Sequence, residues 1–490
     1  MRRAQNGLIP ITVVVLLLNG CALGPAYERP DLVLPDEWPS DDNGRAPSDT
    51  SELEGWWERF DDPVLNELIT QALENNPDLE QAAARVAEAR AVLGFRRAEQ
   101  LPQLTAEGEF ESRRFRDDDR PSRDHEVAGI LSYELDLWGR LSGASRSARA
   151  QLLSTAYTRD AIQLAVKTDV VVSYFEYRAA QDQIRIARET IEAREEALEL
   201  EDVRRRAGAA TQLALRQAAA ELETSRAELP GRVAEARRLS RALAILVGDD
   251  AAVMSGLEQL GDEGLERLTQ DERLLHLPEY VPSELLEQRP DLRAAEAILV
   301  ASHADIAVAR ANWFPRINLS AIFGTAATSS SALFSGPSSF TEYVAGLSMP
   351  ILDFGRRAGE ISTAEARREL AEAQYRTTVM QAFQDVGDAW TLMNTAEERR
   401  QARSREVAAR RDVLGLAETR YIGGYTEYLE VLDARRALFS AEIARTEAAR
   451  DQLVSKANLF RALGGGWSPG DELSGQIDRV GHRLEGGERE

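Results

Sequence analysis

Two periodicities alternate along this 490-residue chain. In 104–112, Leu104, Ala106, Gly108 and Phe110 alternate with Thr105, Glu107, Glu109 and Glu111. In 127–137, Val127, Gly129, Leu131, Tyr133, Leu135 and Leu137 alternate with more polar positions that include Ser132, Glu134 and Asp136. The second half repeats the pattern at Ile317, Leu319, Ala321 and Phe323, and again at Tyr343, Ala345, Leu347 and Met349. A period of two predicts four strands, each with one apolar face. The stretch around Asp117 to Asp119 with Pro121, and the Ser/Gly/Pro-rich stretch 328–339, are the expected connections.

After each strand pair the period changes to that of a helix. No proline interrupts 140–206 or 356–420. At ~1.5 Å per residue, rods of sixty-odd residues reach ~100 Å. Val166, Val170, Ser173, Tyr177, Ala180, Ile184, Ala187 and Ile191 fall at spacings of four and three, as do Val379, Phe383, Val386, Trp390 and Met393. Such a heptad seam favours left-handed supercoiling with neighbouring helices. Each rod ends in a tight reversal, at Gly208 and at Gly423-Gly424, where glycine permits a positive φ. Thr211 and Thr426, each six residues after an Arg, are the expected N-caps of the returning helices.

The two halves match in order. Asn76-Pro77-Asp78-Leu79 corresponds to Arg289-Pro290-Asp291-Leu292, and Leu101-Pro102 to Phe314-Pro315. Leu135-Asp136-Leu137-Trp138-Gly139-Arg140 corresponds to Leu352-Asp353-Phe354-Gly355-Arg356, and Leu246-Val247-Gly248 to Leu463-Gly464-Gly465. This is an internal twofold repeat, with far too long a period for a solenoid. A small sheet packed on helices would account for four strands, and an antiparallel coiled coil for the rods. Neither accounts for strands inserted at the same place in both halves. Carboxylates on one strand face and aromatics with Leu on the other fit a barrel with a wet lumen and a lipid-facing outside. Four strands cannot close a membrane barrel, whose smallest form has ~8. Pooled from three chains, they would make twelve.

Composition and the amino terminus say where such a barrel would sit. The formal charge is −23, and nucleic acid is thereby an unfit partner, because phosphate binding needs clustered cations. The apolar run 8–18 after a short cationic start is too short to span a bilayer and suits an export signal over 1–20. Cys21, the single cysteine, follows it directly. That position resembles a bacterial lipoprotein cleavage site, with Asn19 a mild departure from the usual small residue. Acylation there would make Cys21 the first residue, and several acyl chains anchor stably where one does not. Ala22, rather than Asp, after the Cys points to the outer membrane.

Taken in order, these segments resemble an outer-membrane efflux channel of the TolC type, in the lipoprotein subgroup related to OprM and NodT. The resemblance is carried by 21–30 (CALGPAYERP), 56–63 (WWERFDDP), 76–79, both Asp-Gly-Arg junctions and 458–467 (NLFRALGGGW). It implies a mainly helical α+β membrane protein. Three chains form a 12-stranded transmembrane β-barrel, continued by a long periplasmic α-helical barrel with an equatorial domain. It implies the segments 21–62 (lipidated and extended), 63–250 (first repeat), 251–288 (equatorial connector), 289–466 (second repeat) and 467–490 (tail). It further implies a Gram-negative outer-membrane homotrimer whose tips, at Gly208, Thr211, Gly423, Gly424 and Thr426, meet a periplasmic adaptor linked to an inner-membrane pump of the RND type. Leu429 and Asp433 lie four apart, on one helix face. In the channels this chain resembles, that pair lines the constriction. Asp433 paired with Arg435 or Arg436 on a solvated face is the alternative.

No enzyme chemistry stands out. His125, His276, His303 and His482 are scattered without metal-ligand spacing, and there is no phosphate loop or nucleophile elbow. No cofactor is expected beyond the lipid on Cys21. A lipid-anchored coiled-coil scaffold or adaptor without a pore is the competing function, and the paired strands argue against it.

Overall fold

The computed structural model describes residues 27–31, 55–113, 122–249, 288–335, 338–465 and 467, with 264–269 and a few single positions between 250 and 287. The expected signal peptide, Cys21, residues 114–121, most of 251–288 and nearly all of 467–490 lie outside the described residues. After a 3-10 turn, Trp56–Phe60, come helices α1 (Pro63–Asn75) and α2 (Pro77–Ala98) and strands β1 (Gln103–Arg113) and β2 (Ser122–Leu135). Helices α3 (Arg140–Arg206) and α4 (Gln212–Val247) complete the first half. The second half runs α5 (Pro290–Ala311), β3 (Arg316–Ala327), β4 (Ser339–Ser348), α6 (Arg356–Ile422) and α7 (Tyr428–Ala462). Matching helices have nearly the same length: α2 and α5 have 22 residues each, α3 and α6 have 67 each, and α4 and α7 have 36 and 35. No helix among the described residues is long and apolar enough to cross a membrane.

Side chains fix where the elements begin. Asp62 caps α1 by accepting from Val64 N and Leu65 N, and Asn76 caps α2 by accepting from Asp78 N and Leu79 N. Asp136 accepts from Leu141 N and Ser142 N at 3.0 and 2.7 Å, which satisfies the open start of α3. At the second junction Asp353 accepts from Gly355 N and Arg357 N at 3.2 and 3.4 Å and, more closely, from the Arg357 Nε at 2.6 Å, and that guanidinium covers the Trp313 ring. Trp138 stacks on Phe314 and donates to Pro315 O, so the two junctions interlock. The ends of α4 and α7 also correspond. Gly248 and Gly464 both have positive φ, and a Cβ at either would strike a backbone carbonyl, of Asn75 or Gln288. Nearby, Asn76 donates to Leu246 O and Arg289 to Ala462 O.

The strands form one antiparallel sheet in the order β1-β2-β3-β4. Its register places Leu104 opposite Leu131, Leu131 opposite Ala321, and Ala321 opposite Tyr343. Directly opposed residues share a face. One face therefore carries Leu104, Phe110, Val127, Leu131, Tyr133, Leu319, Phe323, Tyr343 and Leu347. The other carries Glu107, Glu109, Glu111, Asp124, Glu126, Glu134 and Glu342. Most of the apolar face is open in the single chain: Phe110 is 62% and Tyr343 81% exposed. The Phe323 ring lies across Gly129, where a Cβ would come within 2.6 Å of it. Strands β1 and β4 are the edges, with a row of backbone groups on the side away from the sheet.

The main core sits at the waist, where the Trp56–Phe60 turn enters the helices. Trp56 stacks on Phe460 at 5.1 Å and Phe60 meets Phe175 edge-on at 4.9 Å. Tyr174, buried beside them, donates to Asp62 at 2.6 Å. Along α3 the expected seam is buried at Val166, Val170, Tyr177, Ala180, Ile184 and Ala187, with Ser173 and Ile191 half-buried. Along α6 the expectation needs correcting. Val379 and Val386 are buried and Phe383 and Met393 pack half-buried against the core as expected, but Trp390 is 38% exposed and the small Ala382 and Ala389 are buried beside the seam. Small inward residues let helix backbones approach closely, and the Trp390 ring stands at the flank.

Candidate channel mouth

The two helical hairpins end in five-residue reversals of the same form. At the first, Ala209 N donates to Arg204 O and Gly208 N to Arg205 O; at the second, Tyr425 N donates to Arg420 O and Gly424 N to Tyr421 O. These paired bonds are the Schellman closure of a helix. They need one residue of positive φ, and Gly208 and Gly424 supply it, both at 76°. Gly423, expected to share that role, has φ −73 and simply ends α6. Thr211 caps α4 as expected, accepting from Ala214 N at 3.1 Å. Thr426 does not cap α7: Glu427 holds the N-cap position and makes no side-chain cap bond. The equivalence of the glycines puts Thr426 one residue too early, and its hydroxyl donates instead to the Glu430 carboxylate.

Just above the tips the two hairpins are cross-tied. Tyr428, Val431, Leu432 and Ala434 of α7 pack with Ala214 and Ala218 of α4 and Ala417 of α6. Around this apolar plug lie charges. The Tyr421 hydroxyl donates to Glu201 Oε2 at 2.7 Å, and the Arg204 guanidinium covers the Tyr421 ring. Arg436 donates through Nε to Glu221 Oε1 at 3.0 Å, and Arg194 lies 3.3 Å from Glu221 Oε2 while donating to its backbone and to Ser225. Glu201 is 2% and Glu221 8% exposed. Burial, with the Glu201 hydrogen bond, pushes the Tyr421 phenol up to about 12. Burial also lowers the pKa of Arg194, against the pull of Glu221.

Tyr421, Glu201, Glu221 and Arg194 were not among the residues singled out from the sequence. A signal was present: continuing the α3 seam by threes and fours from Ile191 lands on Arg194, Leu198 and Glu201. Charged residues on a seam need buried partners.

Leu429 and Asp433 share the opposite, open side of α7. Leu429 is 47% exposed and the Asp433 side chain 64%. Both alternatives for Asp433 find something in the geometry: Arg436 Nη1 lies 3.5 Å from Asp433, but its shorter bonds go to Glu221, and Arg435 is held by Glu418 at 2.7 Å. Asp433 is thus left at the surface with one weak, exposed contact, the kind worth little.

A subunit that ends two long helical hairpins in a tied mouth, and sets a two-faced sheet at their far end, belongs to the class of outer-membrane channels. The family model described as outer membrane efflux protein matches residues 68–249 and 281–465, and the chain belongs to that family. It is 34% identical over 480 residues to the outer membrane protein OprJ of Pseudomonas aeruginosa, covering 96% of this chain and 98% of OprJ. It is 32% identical to the probable outer membrane lipoprotein SilC of Salmonella typhimurium, over 94% of this chain and 98% of SilC. The open-state structure of the MtrE outer membrane channel of Neisseria gonorrhoeae superposes with a TM-score of 0.81 at 28% identity, over 91% of this chain and 98% of that one. Lipid-anchored residence in the outer membrane, expected from the sequence, accords with these relatives.

Proposed function

We propose that three copies of this chain form the exit duct of a tripartite efflux system, passively conducting drugs or other small molecules from a periplasmic adaptor and an RND-type inner-membrane pump to the outside. The observation that carries the reading is the sheet register. It sends the strand carboxylates to one face and leaves Leu and most of the aromatics on the other, with both edge strands available for pairing. Closing three such sheets end to end turns the carboxylates inward to water and the apolar face outward to lipid. Acyl chains on Cys21 hold the assembly to the membrane.

At the other end the tips at Gly208, Thr211, Gly423, Gly424 and Thr426 present the adaptor-docking rim. Leu429 and Asp433, on the open side of α7, turn toward the axis as a constriction. The Glu201–Tyr421 and Glu221–Arg436 ties hold the second hairpin against the first in the resting mouth, and opening parts them. Purified protein should extract only with detergent, run near three times its 54.2 kDa chain mass and conduct in planar bilayers. A folded protein that stays monomeric and silent would leave the scaffold without a pore as the better account.

A further inference from the structure

Five described residues near the amino terminus, 27–31, form no strand or helix, yet they are held firmly. Tyr27 donates its hydroxyl to Glu296 Oε1 at 3.0 Å, and its ring meets His303 edge-on at 5.5 Å. Arg29 grips both oxygens of the same carboxylate, at 2.8 and 3.0 Å. Such a two-pronged, charge-assisted pair is the strongest common form of side-chain hydrogen bond. Glu296 and His303 stand two turns apart on one face of α5, and Arg293 adds a second cation at 3.6 Å. Burial and the Glu296 carboxylate raise the Tyr27 pKa, so the phenol stays a donor.

We propose that Tyr27, Arg29 and Glu296 are a latch that sets the free length of the lipid tether. The proposal rests on acylation of Cys21. Six peptide steps separate Cys21 from Tyr27, a reach of ~20 Å at full extension. From Glu296 to Ala311, the last residue of α5, the helix rises ~22 Å, and β3 begins soon after at Arg316. Even drawn straight, a latched tether has no more reach than this stretch of α5, which leaves it no slack toward the base of the sheet. Without the latch, the next described residue is Gly55, thirty-four peptide steps from Cys21. The latch fixes the chain to α5 six steps from Cys21 and passes its pull to that helix, which leads into β3.

The test shortens the leash. Deleting Leu23 and Gly24 from the full-length chain keeps Cys21-Ala22 intact. The deletion should lower detergent-resistant trimer in outer-membrane fractions at least fivefold, while inserting Gly-Ser at the same place changes it less than twofold. Adding Arg29→Ala with Glu296→Gln to the deletion should restore trimer to within twofold of the parent. Should Glu296→Gln itself impair folding, Tyr27→Phe with Arg29→Ala opens the latch from the strap side and leaves α5 intact. A harmless deletion in acylated protein overturns the latch, as does a harmful one that opening the latch does not relieve. Mass spectrometry of Cys21 in every variant separates the two ideas, because a parent chain without acyl groups overturns both the lipid reading and the latch.

Discussion

The Tyr421 hydroxyl reaches across from the second hairpin to Glu201 of the first, 2.7 Å away, in a site where Glu201 is almost fully buried. A hydrogen bond to a charged group contributes ~1.5–3 kcal/mol, and a buried carboxylate deprived of it is costly. Tyr421→Phe should therefore shift the mouth toward its open form by about tenfold or more, since ~1.4 kcal/mol is tenfold. Open probability of single channels in planar bilayers measures this. An unchanged open probability would remove the tie from the resting mouth.

The same pair sets a pH dependence. The folded phenol titrates at about 12, above the ordinary value of ~10. A pKa raised on folding gives stability that is complete below the unfolded value and is lost as the pH rises through the folded one. The tie should hold below pH ~10 and fail toward pH 12. Burial raises the pKa of other tyrosines as well, so the quantity to follow is the difference in open probability between the parent and Tyr421→Phe. That difference should vanish as the pH approaches 12.

Asp433 faces open space and Arg436 has a better partner in Glu221. Asp433→Ala should raise conductance and weaken cation selectivity while leaving the melting temperature within ~1–2 °C, as expected for an exposed pair. Leu429→Ala should widen the opening further by removing an apolar side chain one turn away. A drop in melting temperature with unchanged conductance would instead make Asp433 a structural partner of Arg436.

On the sheet, Leu131 and Phe323 share the face opposite the carboxylates, and each should cost ~2–4 kcal/mol when replaced by Arg if it lies near the bilayer midplane. Glu109 sits directly opposite Glu126, and like charges so placed repel. Glu109→Gln should be neutral or mildly stabilising. Trimer melting in detergent and lipid ranks the three; equal tolerance at all sites would contradict the two-faced sheet.

Gly248→Ala and Gly464→Ala should each destabilise the waist by more than the ~1–2 kcal/mol of a left-handed backbone alone, because the added methyl also meets a carbonyl oxygen. Thermal unfolding followed by circular dichroism checks this. Gly359→Ala, with nothing within 4 Å of its Cβ, is the control expected to cost nothing.

Much of the architecture was legible because it depends on local rules. The start of each long helix follows from Gly139-Arg140 and Gly355-Arg356, and strand faces follow from strict alternation. The seam of α6 was misread at Trp390 because hydrophobicity ranks it above Ala389, whereas close helix packing ranks them by size. Thr426 was misread because counting from the preceding Arg ignores which glycine takes the left-handed turn. The Glu201–Tyr421 and Glu221–Arg436 ties join residues more than two hundred positions apart. Their existence depends on how two hairpins lie side by side, which no local pattern encodes.

The equal lengths of α3 and α6 have a consequence for how this chain can change. Each residue added to a helix turns everything beyond it by ~100° and moves it ~1.5 Å. One insertion anywhere in the 67 residues of α6 above the mouth would swing Tyr421 away from Glu201 and turn Leu429 and Asp433 off their bearing. Seven residues, close to two whole turns, would restore the bearing but leave the two tips ~10 Å out of level. Only the same seven added to both rods, and to the returning helices α4 and α7, would keep the tips level and the far ends pinned at Gly248 and Gly464, with a longer duct as the result. Tolerated variation in length should therefore come in heptads matched between the halves, or be confined to the loops beyond the sheet, so that the periplasmic span of the duct changes in steps.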